Sequence, residues 1–168
     1  MPTRSARSKS GKPASRRAKY KVGSIIALPL PDGRYAFAKV FENFDLGVYD
    51  LLAQQIEPVD KVKACTISFF QTCTDRPITS GEWPVIGEEP FPDEESAWGP
   101  PRVTGAFPGM EVDPMFLQIE HKGTGRNATV KEVKGLEFGS ICQTAAQMLN
   151  VIQERLIEGK HDEYRIKV

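Results

Sequence analysis

Hydrophobic and polar positions alternate most cleanly over residues 21–44. Ile26, Leu28 and Leu30 recur at every second position, and beyond a polar break Tyr35, Phe37, Lys39 and Phe41 oppose Ala36, Ala38 and Val40. A period of two is the mark of a β-strand, whose successive side chains point to opposite faces. Pro31, Asp32 and Gly33 fill the break, proline by fixing φ and glycine by accepting a positive φ, so the two runs predict a tight hairpin. Both faces of that hairpin are largely apolar, and each therefore needs a cover.

Downstream, Gly47 marks a turn ahead of a third strand over residues 48–53. Residues 63–70 are β-branched and aromatic and predict a buried fourth strand, followed by a polar connection over 71–80. Residues 82–86, with Trp83, predict a short fifth strand. Pro84 has no N–H for a ladder and places that strand at an edge or a bulge. Residues 87–114 read as irregular, rich in proline and acids, with Phe91, Trp98 and Phe107 as packing anchors; a loop of this length is usually functional or disordered. A strand over 115–121 is expected to turn at Gly123 and Gly125 into another over 128–133. The period then changes: Ile141, Ala145, Met148, Leu149, Ile152 and Leu156 recur at three- and four-residue steps, one face of an amphipathic helix. Ser140 with Gln143 fits a capping box and Gly159 a C-terminal stop, for a helix of about 18 residues and about 27 Å. Tyr164, Ile166 and Val168 alternate as a last strand over 162–168. Together these elements predict an α+β fold, a twisted and mostly antiparallel sheet that could curl toward a barrel, with one long C-terminal helix packed on it.

Charge changes this picture at one end. The chain has 168 residues and a formal net charge of zero, yet residues 1–19 hold Arg4, Arg7, Lys9, Lys12, Arg16, Arg17 and Lys19 and no acid. That segment has no large apolar side chain beyond Met1 and is expected to be a disordered basic tail. Residues 20–168 are expected to be a single domain, in which acids outnumber bases, so it should favour basic proteins over nucleic acid. The tail offers the one route to nucleic acid, through weak and salt-dependent phosphate contact; a solvated tail is the plainer reading. No apolar run approaches the roughly 20 residues that span a bilayer. Three cysteines without CxxC spacing suit a reduced, cytoplasmic setting.

Candidate chemistry is sparse. His121 and His161 lie in no catalytic motif, and Cys65, Cys73 and Cys142 read as small buried residues, so neither a metal nor a cofactor is expected. A Cys142 thiol served by His121 and an acid is the weakest functional reading. Residues 122–126 read as a hairpin turn, without phosphate-loop spacing. The feature that stands out is acidic. Between Arg76 and Arg102 there is no basic residue, while Glu82, Glu88, Glu89, Asp93, Glu94 and Glu95 gather around Trp83, Phe91 and Trp98. Carboxylates around aromatic anchors suit a basic protein partner; a solvated loop whose aromatics fasten it to the core is the alternative.

Gly23, the run into Pro29-Leu30, and Asp32-Gly33-Arg34-Tyr35-Ala36-Phe37-Ala38-Lys39-Val40 resemble the opening of the immunity protein 26 family, small bacterial antidotes encoded beside polymorphic toxins. The likeness continues through Trp83-Pro84-Val85-Ile86-Gly87 and the acidic loop, over roughly residues 20–120. The resemblance implies an immunity-protein-like α+β domain, not an enzyme, that neutralises a cognate toxin by protein–protein contact. The residues themselves nominate Trp83, Glu88, Glu89, Phe91, Asp93, Glu94, Glu95 and Trp98 as toxin-binding candidates. Were the toxin a nuclease, these carboxylates could occupy the place of substrate phosphates.

Overall fold

The hairpin forms where the alternation places it. In the computed structural model, which describes residues 19–167, β1 (Ser24–Pro29) pairs antiparallel with β2 (Tyr35–Val40), with Ile25 opposite Lys39 and Pro29 opposite Tyr35. The basic tail expected over residues 1–19 lies, Lys19 aside, outside the described residues. Leu30 N donates to Arg34 O at 2.8 Å, and Gly33 supplies the turn with a φ of +85°.

Beyond the hairpin several boundaries move. β3 (Asp45–Ala53) starts earlier than its apolar run because Phe41 N donates to Asp45 O and closes a second turn. Residues 63–70 are not one strand: Pro58 opens a short helix α1 (Val59–Lys63), and β4 (Ile67–Cys73) runs on through Gln71 and Thr72, which the polar pattern assigned to a connection. Gln71 is tolerated inside the sheet because its amide donates to Ser140 O at 2.8 Å. A helical turn α2 (Arg76–Thr79) leads through Trp83 to β5 (Val85–Glu88), an edge strand that meets β1 at a bulge. Pro84 contributes only its acceptor, taking a hydrogen bond from Ala27 N at 3.0 Å.

The second half departs further. β6 (Arg102–Thr104), β7 (Gln118–His121) and β8 (Thr124–Asn127) form a separate three-stranded sheet. Lys122 and Gly123 join β7 to β8 with φ of +53° and +71°, as a tight two-residue hairpin turn requires. The strand expected over 128–133 is instead helix α3 (Val130–Val133), because Thr129 and Glu132 make a complete capping box. The box expected at Ser140 and Gln143 does not form. β4 recruits Ile141–Cys142 as a parallel strand, β9, and α4 (Ala145–Ile152) starts later, with Thr144 accepting from Gln147 N at 3.2 Å. The helix continues as a π turn over Gln153–Ile157 and ends before Gly159, whose φ is +71°. In place of a last strand there is a 3₁₀ turn, His161–Tyr164, and one bridge between Glu137 and Arg165.

The molecule is thus α+β: an open, mostly antiparallel sheet in the order β5-β1-β2-β3-β4-β9, a small second sheet and a C-terminal helix, with no closed barrel. Each apolar face of the hairpin finds a cover. Ile26, Leu28, Ala36, Ala38 and Val40 pack under Met148 and Ile152 of α4. On the other face Ile25, Ala27, Phe37 and Tyr49 pack with Val62 and Val59 of α1. A third core, Val103, Ala106, Leu117, Val133 and Ile166, belongs to the second sheet. Arg155 ties this part to the rest. It is 2% exposed, meets both Glu137 oxygens at 3.0 and 2.5 Å, and lies between the rings of Phe69 and Tyr164 at 4.3 and 4.8 Å. No helix among the described residues is long and apolar enough to cross a membrane.

Candidate functional site

The acidic loop is fastened to the sheet by residues its own sequence does not contain. Glu89 N donates to Gly23 O at 2.8 Å, and Gly23 must be glycine there: its φ is +91° and a Cβ would stand 2.8 Å from Glu89 O. The Glu89 carboxylate meets Lys39 Nζ at 2.9 Å, and the same ammonium sits 3.9 Å over the Phe91 ring. Phe91 packs on Phe41 at 4.7 Å, and Phe41 meets Phe70 edge-on at 5.0 Å. A lysine near the end of β2, 7% exposed, is thereby paired on one side and stacked on the other, which offsets its desolvation.

This sorts the sequence-nominated residues into three groups. Trp83, 1% exposed, belongs to the core beneath the loop and presents no surface. Glu89 and Phe91 belong to the Lys39 clamp. Glu88, Asp93, Glu94 and Glu95 face solvent, and lysines distant in sequence reach two of them: Lys21 pairs with Glu88 at 2.7 Å, and Lys122 pairs with Glu95. Asp93, just ahead of the short 3₁₀ turn Glu95–Ala97, accepts from the Ser96 hydroxyl at 2.6 Å and the Ser96 N–H at 2.7 Å; these bonds hold its carboxyl below the usual range. The stretch without bases in sequence is therefore partly neutralised in space.

Trp98 closes the loop and is the centre of the most feature-rich surface. On one side it borders a depression of about 370 Å³ with Tyr20, Phe41 and Phe44. On the other it walls a cleft of about 440 Å³ between the two sheets, shared with Phe107, His121, Lys122 and Ile141. Around it stand large apolar side chains open to solvent, Phe44 (50%), Phe107 (58%) and Ile141 (63%). Sequence reasoning missed all three as surface anchors. Phe44 carried one local signal: it follows Asn43, and both adopt left-handed φ, +56° and +59°. Asparagine is common there; phenylalanine is not.

The floor of the cleft is ionic. Arg102, 7% exposed, sends Nη1 to Asp45 Oδ1 at 2.8 Å and to Thr72 Oγ1 at 2.6 Å, while Thr72 donates to the same Asp45 oxygen at 2.5 Å. Gly99 makes room for this knot, since a Cβ on it would fall 2.5 Å from Asp45 Oδ2.

The cysteine and histidine considered for catalysis are not brought together. His121 lines the cleft, whereas Cys142 turns into the core beside Cys73, and no hydrogen bond joins it to His121. Burial pushes the Cys142 thiol up to about 11, away from the thiolate a nucleophile needs. Among the described residues no three His, Cys, Asp or Glu side chains are grouped to hold a metal.

No curated protein and no solved structure matches this chain. The family model described as immunity protein 26 matches residues 21–103, which takes in the hairpin, the central strands, the acidic loop and the start of β6. Over that segment the chain is similar to the immunity protein 26 family.

Proposed function

We propose that this protein is an immunity factor that binds a cognate bacterial toxin domain in the cytoplasm of the producing cell and blocks it by direct contact. The family match over residues 21–103 is the observation that carries this reading. The interface we assign is the surface around Trp98. Phe44, Phe107 and Ile141 supply apolar area that would be buried in a complex, the kind of anchor on which binding energy concentrates. Glu88, Asp93, Glu94 and Glu95 form an acidic rim that steers a basic partner. Trp83, Glu89 and Phe91 serve by holding the loop in place.

The test is capture of the toxic domain encoded beside this gene, followed by binding kinetics. Trp98→Ala should weaken binding at least tenfold, chiefly through faster dissociation. Changing Glu88, Asp93, Glu94 and Glu95 to amides should slow association and flatten its salt dependence. Undiminished capture by both variants would remove the interface from this face, and no capture by the unaltered protein would remove the immunity reading.

A further inference from the structure

We propose that the cleft between the two sheets is a binding site for a carboxylate carried on an apolar body, with Arg102 as its anchor. The inference needs only the cleft and does not depend on the immunity reading.

A guanidinium has five N–H donors, and a buried one is ordinarily satisfied. Arg102 uses only Nη1, which approaches Asp45 and Thr72 end-on. Its Nε and Nη2 are buried and have no partner among the described residues. These two nitrogens form one edge of the guanidinium fork, the edge that takes a carboxylate through two parallel hydrogen bonds. Glu120, directly opposite Arg102 across the β6–β7 ladder, lines the same cleft yet makes no hydrogen bond to it. The unused edge therefore belongs to a residue that lines a cavity of about 440 Å³, within the roughly 300–1,000 Å³ of typical ligand sites.

The walls set the rest of the ligand. Trp98, Phe107 and Ile141 offer apolar surface, His121 and the Glu95-paired Lys122 add polar atoms, and the acids of the lining are Asp45, which Arg102 already neutralises, and Glu120. A carboxylate with an aromatic or branched aliphatic body matches an arginine floor beneath apolar walls. The carboxylate could be that of a free acid or that of an acidic side chain flanked by apolar residues on another protein; the chemistry recognised is the same.

Two probes separate these sources: 3-phenylpropanoate, and an N-acetylated, C-amidated Phe-Asp-Leu peptide whose only charge is the aspartate. Each is titrated to low-millimolar concentration into the full chain and followed by NMR. At least one should give saturable shifts confined to Trp98, Ile141 methyl and Arg102 Nε–H signals, and the one that does assigns the source. The matching uncharged probe, 3-phenylpropanamide or Phe-Asn-Leu, should bind about tenfold more weakly. Arg102→Lys, which keeps the charge and loses the fork, should weaken the acid by a similar factor. Should that variant not fold, Ile141→Ser, which removes a wall and leaves Arg102 in place, should reduce affinity severalfold. Absence of shifts with both acids, equal binding of acid and amide, or shifts away from the cleft would overturn the proposal.

Discussion

The Arg155–Glu137 pair permits a quantitative test of how the second sheet is held. Arg155 is 2% exposed on its side chain and Glu137 is 18% exposed. Glu137→Ala would leave a guanidinium stacked between Phe69 and Tyr164 with no carboxylate, in a place where Nε already lacks a partner. Breaking a buried pair from one side costs about 3–5 kcal/mol, and the partial exposure of Glu137 favours the lower end, about 3 kcal/mol. With an m-value of about 2 kcal/mol/M, the urea midpoint should fall by about 1.5 M. Replacing both members with apolar residues, Arg155→Met with Glu137→Leu, should recover most of that loss, because no charge is left buried. Equilibrium urea unfolding followed by tryptophan fluorescence measures all three proteins. A midpoint shift below about 0.3 M for Glu137→Ala, or a double variant as weak as the single, would refute the view that an uncompensated charge is what the pair prevents.

Three further outcomes are expected. Glu132 is held down at about 2 by the Thr129 N–H first, then by the Thr129 hydroxyl and Arg126; its folded value lies below its ordinary value of 4.5, so the α3 cap is fully supported above about pH 4.5 and lost as pH falls toward 2. Following the Thr129 amide by NMR would show this, and a midpoint near 4.5 would contradict it. Cys73, pushed up to about 12 by burial and then by Cys142, and Cys142 at about 11 should resist iodoacetamide in the native state near pH 8 while Cys65, partly open to solvent, reacts; mass spectrometry should find one label per molecule, not three. Phe44→Gly should raise stability by about 1 kcal/mol by relieving the left-handed backbone, with part of the gain offset by a freer unfolded chain. The same change should weaken toxin capture, and a lower melting temperature would show that the Phe44 ring matters more than its backbone.

The hairpin was legible because two local signals agreed, a period of two and a Pro-Asp-Gly turn. Other elements were legible in kind but not in place. Ser140 with Gln143 and Thr144 with Gln147 present the same spacing, and nothing local says which caps the helix; β4 decides by pairing with Ile141–Cys142. Helix α1 lies almost wholly ahead of the run at 63–70, in a polar stretch with too few apolar residues to show a helical period; only Lys63 of the run is helical, and the strand begins at Ile67. The acidic loop was visible as composition, but its neutralisation by Lys21, Lys39 and Lys122 was not, since those partners lie far away in sequence. Arg102 was the least legible of all. An arginine after two prolines reads as surface, and only the meeting of β6 with Asp45 and Thr72 buries it.

The separate core of the second sheet has a consequence in time. Its five buried apolar residues form a cluster of their own, and among the described residues the ion pairs Arg102–Asp45, Arg155–Glu137 and Lys122–Glu95 link it to the main body. A unit built this way is expected to open on its own before the whole chain unfolds. Amides of β7 and β8 should therefore exchange with solvent sooner than those of β1, β2 and β3. The cleft lies on the seam between the two units, so an occupant touching both sides would slow any such opening from within.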